Sequence, residues 1–123
     1  MARVRVGLTW EEVVEIGLRL PGVELSMSYG TESLRVNGKF LCRERDRREV
    51  LAVRCDFDER PFLIEANPDV LFVTPHYKAW PMVLVALPKA REQLVRELVE
   101  DAWVEKAPKR VVAEYVSARG EPA

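Results

Sequence analysis

The chain has 123 residues, 48% of them hydrophobic and 32% charged, with a formal net charge of −1. This composition excludes a disordered chain and fits one soluble globular domain over residues 1–123 with a single real core. Near-neutral charge also excludes a global positive field for nucleic acid or an anionic membrane, so any basic footprint has to be local.

Residues 9–20 carry the first helical signal. Trp10, Val13, Val14, Gly17 and Leu18 repeat at the spacing of one buried stripe, and Thr9 with Glu12 spells a capping box. Pro21-Gly22 stops the helix. Over residues 23–29, Val23, Leu25, Met27 and Tyr29 alternate with Glu24, Ser26 and Ser28, a short strand-like pattern broken by Gly30. We read this stretch as an extended connector rather than a strand of the sheet.

Residues 33–55 are the organising segment. Asn37-Gly38 between two apolar runs predicts a two-residue hairpin turn, because a type I′ turn needs positive φ at both central positions. The expected pairing sets Val36 against Lys39, Arg35 against Phe40 and Leu34 against Leu41. Leu34, Val36 and Leu41 then share the core face, while Arg35, Phe40 and Cys42 share the other. An arginine-rich turn, Arg45-Asp46-Arg47-Arg48, leads to a third strand over residues 50–55. Both of its faces are apolar enough to leave the inward one open.

Asp56 and Asp58 offer caps to a short helix with Pro61 in its first turn, ended by Asn67-Pro68. Residues 70–74 are rich in β-branched and aromatic side chains and read as a strand. A connector bounded by Pro75 and Pro81 follows, then a continuously apolar strand over residues 82–87, as expected of a strand covered on both faces. Pro88 suits the first position of a long helix reaching Lys106. Its stripe is Leu94, Val95, Leu98, Val99, Ala102 and Trp103. A last short helix runs from Pro108 to about Val116. The predicted fold is α+β: a two-layer domain with a five-stranded antiparallel sheet, helices packed on one face, in the order α-β(3)-α-β(2)-α-α.

Chemistry-bearing residues are sparse. Cys42 and Cys55 with the single His76 cannot close a four-ligand zinc site, so no metal and no cofactor is expected. No Gly-rich phosphate loop, nucleophile elbow or HExxH motif is present, so the expectation is a non-enzymatic protein without catalytic residues. No apolar run approaches the ~20 residues of a membrane helix, and residues 1–5 lead into no signal-peptide core. A cytoplasmic location with free thiols and no membrane partner follows as the expectation.

Two groups of basic residues stand out. Arg43, Arg45, Arg47, Arg48 and Arg54 surround the second hairpin, but Glu44, Asp46 and Glu49 are interleaved, leaving +2. Cross-strand ion pairing at a solvated hairpin tip is the simpler reading of such a mixture. Lys106, Lys109, Arg110 and Arg119 form the other group. Between these groups, His76, Tyr77, Lys78 and Trp80 make a loop able to hold a ligand by stacking and hydrogen bonding, although large aromatics more often carry buried area. The arginine turn becomes a functional wing only if Lys78 and Lys109-Arg110 lie on its surface.

Several stretches together suggest a family. Leu20-Pro21-Gly22-Val23-Glu24, Ser28-Tyr29-Gly30 and the run from Leu34 to Phe40 resemble the opening of the MmcQ/YjbR-like proteins. Pro75-His76-Tyr77, Trp80-Pro81-Met82-Val83, Asp101-Ala102-Trp103 and Ala107-Pro108-Lys109-Arg110 are similar as well. The resemblance implies a secretion-chaperone-like, YjbR-like architecture and a DNA-binding role through a double wing of β-hairpins. Arg35, Arg45, Arg47, Arg48, Lys78, Lys109 and Arg110 would contact phosphates, with His76, Tyr77 and Trp80 as a recognition loop. DNA binding of this kind would be weak and salt-sensitive. The alternative is a chaperone-like module that binds a protein or peptide and no nucleic acid, as a monomer or a homodimer.

Overall fold

Thr9 and Glu12 close the expected capping box: the Glu12 amide donates to Thr9 Oγ1 at 3.1 Å and the Thr9 amide to Glu12 Oε1 at 3.0 Å. Helix α1 then runs over Trp10–Leu18. Its buried residues are Trp10, Val13, Ile16 and Gly17, while Leu18 turns outward. Gly17 is required by close packing, since a β-carbon there would press into the Leu34 side chain. The computed structural model describes residues 6–28 and 30–118. Tyr29 of the alternating stretch and Arg119 of the second basic group lie outside the described residues.

The expected connector is a strand. β1 (Val23–Ser28) pairs antiparallel with β2 (Thr31–Val36) along its whole length, and Gly30 at φ +77° stands in the tight turn between them. The sheet therefore has six strands rather than five. The physical signal was the period-two alternation itself, which outweighs the shortness of the segment once a neighbour supplies the hydrogen bonds. β3 (Lys39–Arg45), β4 (Val50–Arg54), β5 (Leu71–Phe72) and β6 (Met82–Ala86) complete an all-antiparallel sheet in the spatial order β1-β2-β3-β4-β6-β5. β5 is shorter than the predicted 70–74 strand.

The Asn37-Gly38 turn has φ of 51° and 75°, as the type I′ geometry demands, and sets Val36 against Lys39 and Arg35 against Phe40. Beyond that point the register departs from the expected one. Leu34 pairs with Cys42, not Leu41, because a bulge admits one extra residue on β3. Leu41 and Cys42 are both fully buried in the main core. Every later residue of β3 consequently changes face relative to simple alternation.

Helix α2 (Arg60–Ala66) has Pro61 in its first turn as expected, but Glu59 rather than Asp56 or Asp58 occupies the capping position. Pro88 lies in a short 3-10 turn, Leu87–Lys89, and the long helix α3 starts later, at Glu92–Lys106. Helix α4 covers Lys109–Ala118. Apolar side chains of all four helices join one cluster with Leu34, Val36, Leu51, Val53, Val83 and Val85, which identifies the helix-covered face of the sheet. Burying such side chains contributes roughly 1.5–3 kcal/mol each. A smaller cluster on the other face joins Ala52 and Leu84 to Tyr77, whose loop covers β4 and β6 there. The part of that face made by β2 and β3 carries no helix.

Candidate functional site: a basic sheet face

The bulge decides what the helix-free face carries. With Cys42 turned into the core, Arg43 and Arg45 point to the side already occupied by Arg35. Arg43 donates from Nη2 to the Tyr77 hydroxyl at 3.0 Å. Arg45 lies over the Tyr77 ring, its Cζ 4.8 Å from the centroid, a cation–π distance. Arg35 lies 5.8 Å over Phe40 and donates to the Gly38 carbonyl at 3.4 Å. Ser33 is the cross-strand partner of Arg43 and is 3% exposed.

Acids are few on this surface. Glu24 of β1 stands opposite Arg35, and Asp46 approaches Arg45 only at 4.0 Å. Arg43 forms no ion pair among the described residues, and its Nε and the Ser33 Oγ are buried without a hydrogen-bond partner there. Arg54, further along β4, is engaged by Asp56 and Glu105.

The loop over this face is held from below by Arg60. Its guanidinium donates to the carbonyls of Trp80 at 2.8 Å, Lys78 at 2.9 Å, Met82 at 3.1 Å and Tyr77 at 3.4 Å. A rigid fork of five N–H donors suits such a convergence of carbonyls. Tyr77 is buried and His76 meets it edge-on at 5.0 Å between centroids, while Trp80 is 54% exposed. The loop residues thus divide: Tyr77 orients arginines, and His76, Lys78 and Trp80 face solvent.

The other basic positions are distributed differently. Arg48 crosses to the helix side, where it meets Glu11, Glu32 at 3.1 Å and Glu44 at 3.2 Å. Asp46, Arg47 and Arg48 all have positive φ, so the arginine turn is a strained, left-handed segment that Arg48 ties to the start of α1. Arg47 is exposed at its tip. Lys109 and Arg110 begin α4, beside the Asn37-Gly38 turn, with which Pro108 and Val111 share a cavity. That turn and the arginine turn stand at opposite ends of β3, on the order of 20 Å apart for a seven-residue strand. The structure brings Arg35, Arg43, Arg45 and the Lys78 loop to one face and leaves Lys109-Arg110 in the helix layer, beside the turn at the Arg35 end and far from Arg45. Sequence placed Arg43 in the basic group of the second hairpin but not among the phosphate contacts, and it did not single out Arg60. A bulge has no local signature there, and Arg60 sits among acids in the chain.

Burial pushes the Cys42 thiol up to about 12, slightly opposed by a hydrogen bond at the Leu34 backbone. Burial likewise raises Cys55 to about 11, with Arg60 and Arg54 opposing. Both thiols are free, and no group of three or more potential metal ligands occurs among the described residues. No helix among them is long and apolar enough to cross a membrane.

Comparison with known proteins gives consistent relatives. An uncharacterized protein of Mycobacterium bovis, Mb2600, is 29% identical over 130 residues, spanning 91% of this chain and 98% of its own. Two uncharacterized proteins of Mycobacterium tuberculosis, MT2646 and Rv2570, match with the same identity and coverage. No solved structure matches significantly. The family model described as YjbR matches residues 18–105, from the end of α1 to the last turn of α3 and so across the whole sheet, and the chain belongs to the YjbR family.

Proposed function

We propose that this protein binds nucleic acid non-enzymatically, and that the binding surface is the helix-free face of β2 and β3 rather than the arginine turn. The observation that carries this reading is the convergence of Arg35, Arg43 and Arg45 on one sheet face, opposed by Glu24 across from Arg35 and by Asp46 at 4.0 Å from Arg45. Phosphate binding needs cations not already neutralised by protein acids. Arg48 is committed to three glutamates and does not meet that need. Lys78 extends the basic face through the loop, and the exposed Trp80 of that loop offers a stacking surface. A sheet face with arginines and aromatics suits a flexible single strand, whose bases can splay and stack, better than a duplex groove. The test is fluorescence anisotropy with single-stranded and duplex DNA oligonucleotides across a salt series. The reading expects salt-steep binding, stronger for the single strand. No binding at low salt to either form overturns it.

The alternative, a protein-interaction module, has its own support. β1 is an edge strand of six residues without proline or lysine, and Leu18, Leu25 and Met27 are about half exposed or more near it. Such an edge is a template for strand addition, by a peptide or a second copy. Sedimentation of the wild type against Leu25→Lys separates the cases: a dimer that dissociates in the variant favours the edge.

A further inference from the structure

Between β2 and β3 on the basic face lies a cavity of about 200 Å³ lined by Thr31, Ser33, Arg35, Phe40, Arg43 and Met82. Two of its lining residues carry buried polar groups that the chain leaves unanswered, and a small shift of their side chains opens them to the cavity. Ser33 Oγ is a buried hydroxyl and Arg43 Nε a buried cationic donor, and neither has a hydrogen-bond partner among the described residues. Leaving such groups unpaired is destabilising, and more so for a charged one. Arg43 is not free to turn away, because its Nη2 is bonded to the Tyr77 hydroxyl and Tyr77 is held in place by the loop that Arg60 anchors.

We propose that this cavity binds the carboxylate of a small apolar acid. The Nε–H edge of Arg43 and the Ser33 hydroxyl supply donors to the two carboxylate oxygens, with Arg35 adding positive charge at the rim. Phe40 and Met82 form apolar walls for the body of the acid, and Met82 has the flexibility to move aside and admit it. A carboxylate fits these walls better than phosphate. Among the described residues no helix N-terminus and no glycine nest opens on the cavity, and phosphate binding favours such converging backbone donors. An arginine edge, by contrast, matches a planar carboxylate. The site shares Arg35 and Arg43 with the nucleic-acid surface, but it rests on two buried unpaired groups and not on the summed charge of the face.

Amide and arginine Nε–H resonances of the full chain, followed by NMR during titration with sodium benzoate and sodium butyrate, test the proposal. Saturable shifts at Ser33, Arg43 and the Arg43 Nε–H are expected, with no saturation by benzamide and weaker effects of inorganic phosphate at matched ionic strength. Arg43→Gln should weaken benzoate binding at least about tenfold, as loss of a charge-assisted hydrogen bond implies. Ser33→Ala, a smaller change that preserves the guanidinium, should weaken it several-fold and keeps the test alive if Arg43→Gln does not fold. Arg96→Gln on α3 should leave it unchanged. Equal responses to benzamide and benzoate, tighter binding of phosphate, or full benzoate affinity in the folded Ser33→Ala protein overturns the proposal. Oligonucleotide binding with no saturable benzoate binding overturns this proposal and leaves the nucleic-acid reading standing, while benzoate binding without oligonucleotide binding supports this proposal and overturns that reading.

Discussion

At the residue scale the account turns on which arginines are already partnered. Arg48 meets three glutamates and holds a turn of three consecutive left-handed residues. Arg47, exposed at φ 57°, is the position where that strain is cheapest to relieve. Arg47→Gly should stabilise the protein by roughly 0.5–1 kcal/mol, the left-handed penalty outweighing the extra chain entropy of glycine. Urea denaturation gives the answer, and a lower midpoint would mean the side chain has a structural role. The thiols make a second prediction. Cys42 and Cys55 titrate higher in the folded chain than in the unfolded one, near 12 and 11. Their protonation therefore supports the fold fully below about pH 9, and that support is lost as pH rises toward 11 and 12. The urea midpoint should fall between pH 8 and pH 10.5, and neither thiol should react with an alkylating reagent at pH 8 until the chain is denatured.

At the scale of elements, much was legible because the signals were local. The Thr9–Glu12 box, the Asn37-Gly38 turn and the stripe from Leu94 to Trp103 each specify their element through neighbours in sequence. The bulge at Leu41 was not legible, since Phe40-Leu41-Cys42 are all apolar and fit either register, and only the Leu34–Cys42 pairing reveals the extra residue. That single insertion places Arg43 and Arg45 beside Arg35, so the candidate site was hidden for a tertiary reason. The same holds for Arg60, which in sequence is one base among acids and in space clamps four carbonyls. Arg60→Ala should destabilise the protein by about 1–3 kcal/mol, as expected when four carbonyls, those of Tyr77 and Met82 part-buried, lose one charged donor. It should also broaden the Tyr77 resonances as the loop loosens. A variant with unchanged stability and a sharp Tyr77 signal would contradict the clamp.

The whole molecule separates its charges in a way that a net value of −1 conceals. The helix layer carries Glu11, Glu12 and Glu15 on α1 and Glu92, Glu97, Glu100, Asp101 and Glu105 against Arg96 and Lys106 on α3, while β2 and β3 carry arginines to the opposite side. Burial raises the Asp101 carboxyl, and Glu59, Glu100 and Glu97 raise it further. Under the proposed function a polyanion would meet the sheet face rather than these acids. The most direct test compares two double variants by oligonucleotide anisotropy at low salt. Arg43→Gln with Arg45→Gln should weaken single-strand binding at least about tenfold and reduce the salt slope by about 1.4, the value for two lost phosphate contacts on a single strand. Lys109→Gln with Arg110→Gln should change affinity no more than about twofold, because those residues begin a helix of the opposite layer and stand away from Arg43 and Arg45. Full binding by the sheet-face variant, or a large loss in the α4 variant, would contradict the central claim.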